Sequence, residues 1–213
     1  MTRITSLASC LLFLLVGCKS SYYGIWSKLG YEKRDLLVSE VEDAKTQQEK
    51  AKEQFKTTLQ RFQELTGFQG GELESKYRKL NSEYERCKSR AEGVSGQIAD
   101  VDETAQDLFR EWKKELDSYE SADLRSKSQE QLRQSQDRYA DLIAAMRKAE
   151  SSMQPVLKAF GDQVLFLKHN LNAQAIASLK GTATQIDSDV QALIKEMEAS
   201  INEANDFIKQ MKT

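Results

Sequence analysis

The stretch LESKYRKLNSEYERCKSRAEGVSGQIADVDETAQDLFREW, residues 73–112, decides the fold. Its stripe residues are Leu73, Tyr77, Leu80, Tyr84, Cys87, Ala91, Val94, Ile98, Val101, Ala105, Leu108 and Trp112, stepping alternately by four and three. An α-helix turns once in 3.6 residues, so these positions line one face for more than five heptads while charges fill the rest. The segment from about 72 to 118 predicts a helix roughly 70 Å long. Gly93 and Gly96 lie inside it without breaking phase. Each weakens the helix by about 1 kcal/mol relative to Ala and marks a bend or a close approach.

Upstream, Leu37, Val41, Ala44, Gln48, Ala51, Phe55, Leu59, Phe62 and Leu65 repeat the pattern. That run stops at Gly67, and Gly70-Gly71 complete a turn before Glu72 and Glu74 seat acids in the next first turn. Downstream, a turn near Ser118 to Asp123 offers Ser121 as an N-cap. A third run follows: Leu132, Ser135, Tyr139, Leu142, Met146, Ala149, Met153, Val156 and Phe160. Its phase survives Pro155, where the missing backbone bond and the ring clash predict a kink; the lesser option is a fresh helix capped by Ser151 and Gln154. The stripe continues through Val164, Leu167, Leu171 and Leu179 to Gly181. A glycine C-cap followed by Thr182-Ala183-Thr184-Gln185 predicts the last turn there. The final run holds Ala183, Ile186, Val190, Leu193, Met197, Ala204, Ile208 and Met211. The expected fold is all-α, an elongated antiparallel helical bundle or coiled coil of about four long helices, the third kinked at Pro155.

Composition agrees. One Pro in 213 residues leaves little punctuation for a sheet-rich fold, and 30% charged residues suit long helices with one buried stripe. A net charge of -2 funnels no polyanion, so nucleic acid is not an expected partner.

The N-terminus reads as an address. Arg3 precedes an apolar run from Leu7 to Val16, about half the length needed to span a bilayer, which reads as a secretory signal peptide. It ends in Leu15-Val16-Gly17-Cys18, which resembles a bacterial lipobox: the Cys18 thiol is the nucleophile that takes a diacylglyceryl group, and the signal is cleaved between Gly17 and Cys18. Lipid chains together contribute far more membrane affinity than a single one. Lys19 follows where an Asp would retain a Gram-negative lipoprotein in the inner membrane, so in a Gram-negative source the expected location is the periplasmic face of the outer membrane, lipid-anchored. Tyr22, Tyr23, Trp26 and Lys28 then form a candidate membrane interface, the bland alternative being packing against the bundle. The expected organisation is a signal peptide at 1–17, a lipidated aromatic tether at 18–31 and a helical bundle domain at 32–213.

Chemistry is sparse. His169 is the single histidine, so no two-histidine metal site arises from spacing, and no catalytic residue, metal site or cofactor is expected. No GxxxxGK[ST], GxGxxG, GxSxG or HExxH occurs. Cys87 stands alone in the mature chain: a packed small hydrophobe is the favoured reading, with an interchain bridge and a reactive thiol left open. Acidic pairs such as Glu42-Asp43 read as solvated helix faces with partners along the helix. Among stripe positions only Gln48 and Ser135 stand out as polar, too few for a buried site. From Val164 to Asn172 the pattern departs from a plain heptad: Val164, Leu165, Phe166 and Leu167 are apolar on nearly every side of a helix. Leu165, Phe166 and His169 are therefore the candidate interaction surface, to be covered by a neighbouring helix, by the aromatic segment around Trp26 or by another chain.

The sequence resembles a family of uncharacterised bacterial lipoproteins known only as a domain of unknown function. The likeness rests on Tyr22-Tyr23-Gly24, Lys33-Arg34-Asp35, Gly70-Gly71 and the block Val164–Ala173 continuing to Ser178-Leu179-Lys180-Gly181. It implies a helical, membrane-attached, secreted protein and no particular reaction. The expected function is a non-enzymatic, membrane-anchored periplasmic scaffold or adaptor that contacts an envelope protein or forms a homo-oligomer. The alternatives are a cell-wall enzyme or ligand carrier with a site in the bundle, and a membrane-remodelling coiled coil.

Overall fold

The computed structural model describes residues 33–67 and 72–212. Within them lie four long helices: α1 (Lys33–Thr66), α2 (Leu73–Glu115), α3 (Ala122–His169) and α4 (Ala173–Met211). A single 3-10 turn, Leu116–Ser118, joins α2 to α3, and no strand occurs among the described residues.

Heptad spacing becomes a shared core because each helix has one apolar face to hide. Phe55, Phe62, Leu80, Leu142, Met146, Met153, Phe160, Ile186 and Phe207 are all essentially inaccessible to solvent. Neighbours pack in a ring, α1 on α2, α2 on α3, α3 on α4 and α4 back on α1. Polar links fix the direction of the closing pair. Glu42 accepts from Lys212 (2.7 Å), Asn205 from Lys45 (3.2 Å), Glu198 from Lys52 (3.4 Å) and Asp187 from Gln63 (3.0 Å). Numbers rise along α1 as they fall along α4, which is antiparallel packing. Lys45 and Lys52 thus both reach across to α4. Across the bundle Phe62 and Phe160 meet edge to face at 6.3 Å, and Phe109 and Tyr139 at 5.6 Å.

The helix boundaries correct one expectation. The last turn falls at Asn170–Asn172, and Gly181 lies inside α4. The reason is local hydrogen bonding. Asn170 caps α3 by donating its side-chain amide to the Phe166 carbonyl (3.1 Å), and its backbone N–H bonds the Phe166 and Leu167 carbonyls. Two residues on, the Asn172 side chain accepts from the Ala175 N–H (2.9 Å) and starts α4. Leu171 between them is half-buried against the core, so the apolar stripe continues across a break in the helix. At Gly181 no terminus exists to be capped. The Ser121 cap is as expected, its hydroxyl accepting from the Leu124 N–H (3.4 Å). The helix α3 passes Pro155 without interruption, so no fresh helix begins at Ser151 or Gln154, and the expected kink is not established.

Candidate functional site

The four helices alternate in direction, so the bundle has two unlike ends. One gathers the start of α1, the α2–α3 turn and the end of α4; the other gathers the α1–α2 turn and the α3–α4 turn. At the second end the last turns of α3 carry the sequence's candidate surface. Val164 and Leu167 point into the core, while Leu165 is 59% and Phe166 40% exposed. His169, the last residue of α3, is exposed as well. No described helix covers Leu165, so the expected intramolecular cover by a neighbouring helix is absent among the described residues. The periodicity explains the split: Val164 and Leu167 hold the seam, and 165 and 166 fall off it.

The aromatic segment around Trp26, the second possible cover, lies outside the described residues, as do Cys18, Gly17, Tyr22, Tyr23 and Lys28.

Polar groups inside the bundle form separate small clusters. Gln54 donates to the Glu83 carboxylate (2.8 Å) and Thr58 to the Gln54 carbonyl (2.9 Å), with the Glu83 carbonyl 3.2 Å from both. Beside them Cys87 is fully buried, and burial pushes its thiol up to about 12, against a smaller lowering by Thr58. A thiol so held is not a nucleophile near neutral pH. The Trp112 indole donates to the Ser128 hydroxyl (2.9 Å), tying the α2 end to the start of α3. Asp102 accepts from the Tyr139 hydroxyl and from Arg147 (2.7 Å). Burial raises the Asp102 carboxyl, but those bonds, one from Gln106 and the Arg147 charge together hold it below the usual range. Burial and the Asp102 charge push the Tyr139 phenol upward. Ser135 is buried as its stripe position requires. Gln48 is fully buried with neither amide atom partnered, and so is the Ser200 hydroxyl.

Sequence reading flagged Gln48 and Ser135 but missed Ser200, Thr58, Thr104 and Ser128, all buried. The signal was available for Ser200, which sits three residues after Met197 and four before Ala204 on the stripe.

Two surface hollows of about 440 Å³ lie between α2 and α3, one lined by Phe109, Arg110, Lys113, Lys114, Asp117 and Gln136, the other by residues including Tyr84, Lys88, Glu92 and Lys158. Neither contains His169 or Cys87. Among the described residues no group of three or more His, Cys, Asp or Glu side chains is arranged to hold a metal ion, and no helix is long and apolar enough to cross a membrane.

These features define an antiparallel four-helix bundle with a shared apolar core and exposed apolar side chains at both ends, Leu165 and Phe166 at one and Tyr119 and Leu124 at the other. A family model covers residues 22–211, and the chain belongs to that family, described as "Protein of unknown function (DUF2959)". No curated protein and no solved structure matches it.

Proposed function

We propose that the protein is a non-enzymatic lipoprotein of the cell envelope that acts as a helical spacer or adaptor. Cys18 carries the lipid, and the periplasmic face of the outer membrane is its location. The observation that carries this reading is the topology. The lipobox-like Leu15-Val16-Gly17-Cys18 leads, through a short segment, into the start of α1 at one end of the bundle. The exposed Leu165 and Phe166 sit at the other. The helix α3, 48 residues long, spans about 70 Å between the two ends. A rod held at one end and adhesive at the other suits reach and contact. A catalyst needs a preorganised pocket with convergent polar groups. The buried polar groups here are instead spread through the core.

Metabolic labelling with palmitate tests the anchor. Label on the wild-type chain, abolished by Cys18→Ser, is the expected result, and undiminished label on that variant overturns lipidation at Cys18. Crosslinking from intact envelopes tests the adaptor role: recovery of no envelope protein, and of no second copy, removes the role.

A further inference from the structure

The α3–α4 tip has a charge pattern found nowhere else in the described chain. From Gln163 to Ile186, 24 consecutive residues, no Asp or Glu occurs, although the protein has 33 of them. No other gap between acids within 33–212 exceeds 11 residues. Lys168 and Lys180 lie inside the gap and Lys158 one turn before it. All three are exposed, and none forms an ion pair among the described residues. Elsewhere Arg78, Lys88, Lys127, Arg133 and Arg147 each pair with an acid, and exposed cations without an ion pair, such as Lys79, Arg90 and Arg138, lie within four residues of an Asp or Glu, which Lys168 and Lys180 do not. The rest of the acid-free face is small and uncharged: Ala173, Ala177, Ser178 and Gly181 are exposed along the first turns of α4. At the centre stand Leu165 and Phe166, with Asp162 as the one acid on that face of α3. The start of α2, at the same end, is balanced: Glu74 pairs with Arg78 and Lys76 with Glu64.

We infer that this tip docks on an anionic phospholipid bilayer. An apolar knob at an end that carries exposed, unpaired lysines and, on its own helix face, the single carboxylate of Asp162 is a composition that enters a headgroup layer: the knob reaches the acyl boundary while lysines meet phosphates. Taken alone the patch is small for a stable protein interface, so a protein partner of the adaptor would have to bury surface along the bundle as well. Two exposed side chains offer a small fraction of the roughly 1,200 Å² that a stable protein interface buries. A bilayer needs no such area, because it deforms around the knob and supplies charge on every side. The inference does not depend on lipid at Cys18, since the tip lies at the end of the bundle opposite the start of α1.

The test immobilises the full-length chain on resin through a C-terminal tag, near the end opposite the tip, and measures capture of fluorescent vesicles. Vesicles of phosphatidylcholine alone are compared with vesicles containing 30% phosphatidylglycerol. The wild-type chain captures the anionic vesicles in excess. That excess falls about tenfold or more in L165S/F166S and in K168E/K180E, taking about fivefold per lysine near a charged surface. The variant Y119S/L124S, which removes the two exposed apolar residues at the other end, retains it. Melting temperatures within a few degrees of wild type show that the exposed substitutions leave the fold intact. Equal anionic capture by wild type and both tip variants overturns the proposal, as does capture indifferent to phosphatidylglycerol or lost in Y119S/L124S. A wild-type chain that dimerises in lipid-free solution while L165S/F166S is monomeric also overturns it, assigning the tip to a second copy instead.

Discussion

Gln48 of α1 and Ser200 of α4 are both fully buried in the stretch of the α1–α4 seam bracketed by Lys45–Asn205 and Lys52–Glu198, and neither side chain has a hydrogen-bond partner. Leaving a buried polar group unpaired costs about 1–3 kcal/mol. Replacing Gln48 by Leu, of similar volume, removes two orphaned atoms from an apolar seam. Gln48→Leu is expected to raise stability by about 1–3 kcal/mol, read as a higher urea midpoint at unchanged slope. A lower midpoint would show that the amide is satisfied, by an ordered water for instance.

Gly181 tells a second story, because its role depends on where the helix ends. A glycine C-cap is favoured for its left-handed backbone, and Ala there is strained. Inside α4 the same glycine is a cost, and a Cβ added at Gly181 meets nothing within 4 Å. Gly181→Ala is therefore expected to stabilise by about 0.5–1 kcal/mol in thermal or urea unfolding. A loss of that size would put the turn back at 181.

The two asparagines show why this turn was illegible while the bundle was legible. Apolar spacing fixes which residues meet the core, and it marked Phe55, Leu80, Met146 and Val190, all buried. It carries no information on whether the backbone stays helical between two stripe residues, and Leu167 and Leu171 keep a helical step across the break. The stop is set by side-chain bonds from Asn170 and to Asn172, and Gly181 with its following threonines offered a stronger pattern for the wrong place. The tip was partly legible: four successive apolar residues signalled excess surface, but spacing alone did not say that Leu165 and Phe166 stay uncovered. Cys18 and the aromatic segment lie outside the described residues, so their reading stands on sequence.

Asp102 should give the bundle an acid-sensitive link between α2 and α3. Its carboxyl is held below the ordinary value of 3.8 by Tyr139, Gln106 and Arg147 acting against burial. A folded-state value below the unfolded one means that this contribution is fully present above about pH 4 and is lost as pH falls through the lower folded value. Asp102→Ala is expected to cost about 1–2 kcal/mol at pH 7, since it strips a charged acceptor from both Tyr139 and Arg147. The difference between wild type and variant should shrink as pH falls below about 4. A difference that stays constant over that range would mean that packing, and not the carboxylate, is what the variant loses.

Cys87 provides the opposite limb. Burial sets its thiol at about 12 against an ordinary 9.0, with Thr58 lowering it slightly and Glu83 raising it. In the unfolded chain the thiol ionises near its ordinary value while the folded chain still holds the proton. The folded state then binds more protons, so this contribution is complete below pH 9 and is lost as pH rises from 9 toward 12. Other groups titrate there too, and comparison with Cys87→Ala isolates the thiol. That variant loses a buried sulfur, costing about 1–2 kcal/mol at pH 7 by the cavity it leaves, and its deficit should narrow as pH rises above 9. The same burial governs reactivity. The thiolate is the attacking species, so a maleimide should modify Cys87 in the folded chain only as fast as the bundle opens, and rapidly once urea unfolds it. An interchain bridge is ruled out on the same ground while the core is closed, and non-reducing electrophoresis of oxidised folded protein should show no dimer that Cys87→Ala abolishes. Fast labelling at pH 7 without denaturant would mean that α1 and α2 separate readily around Thr58 and Glu83, and that the seam is looser than its hydrogen bonds imply.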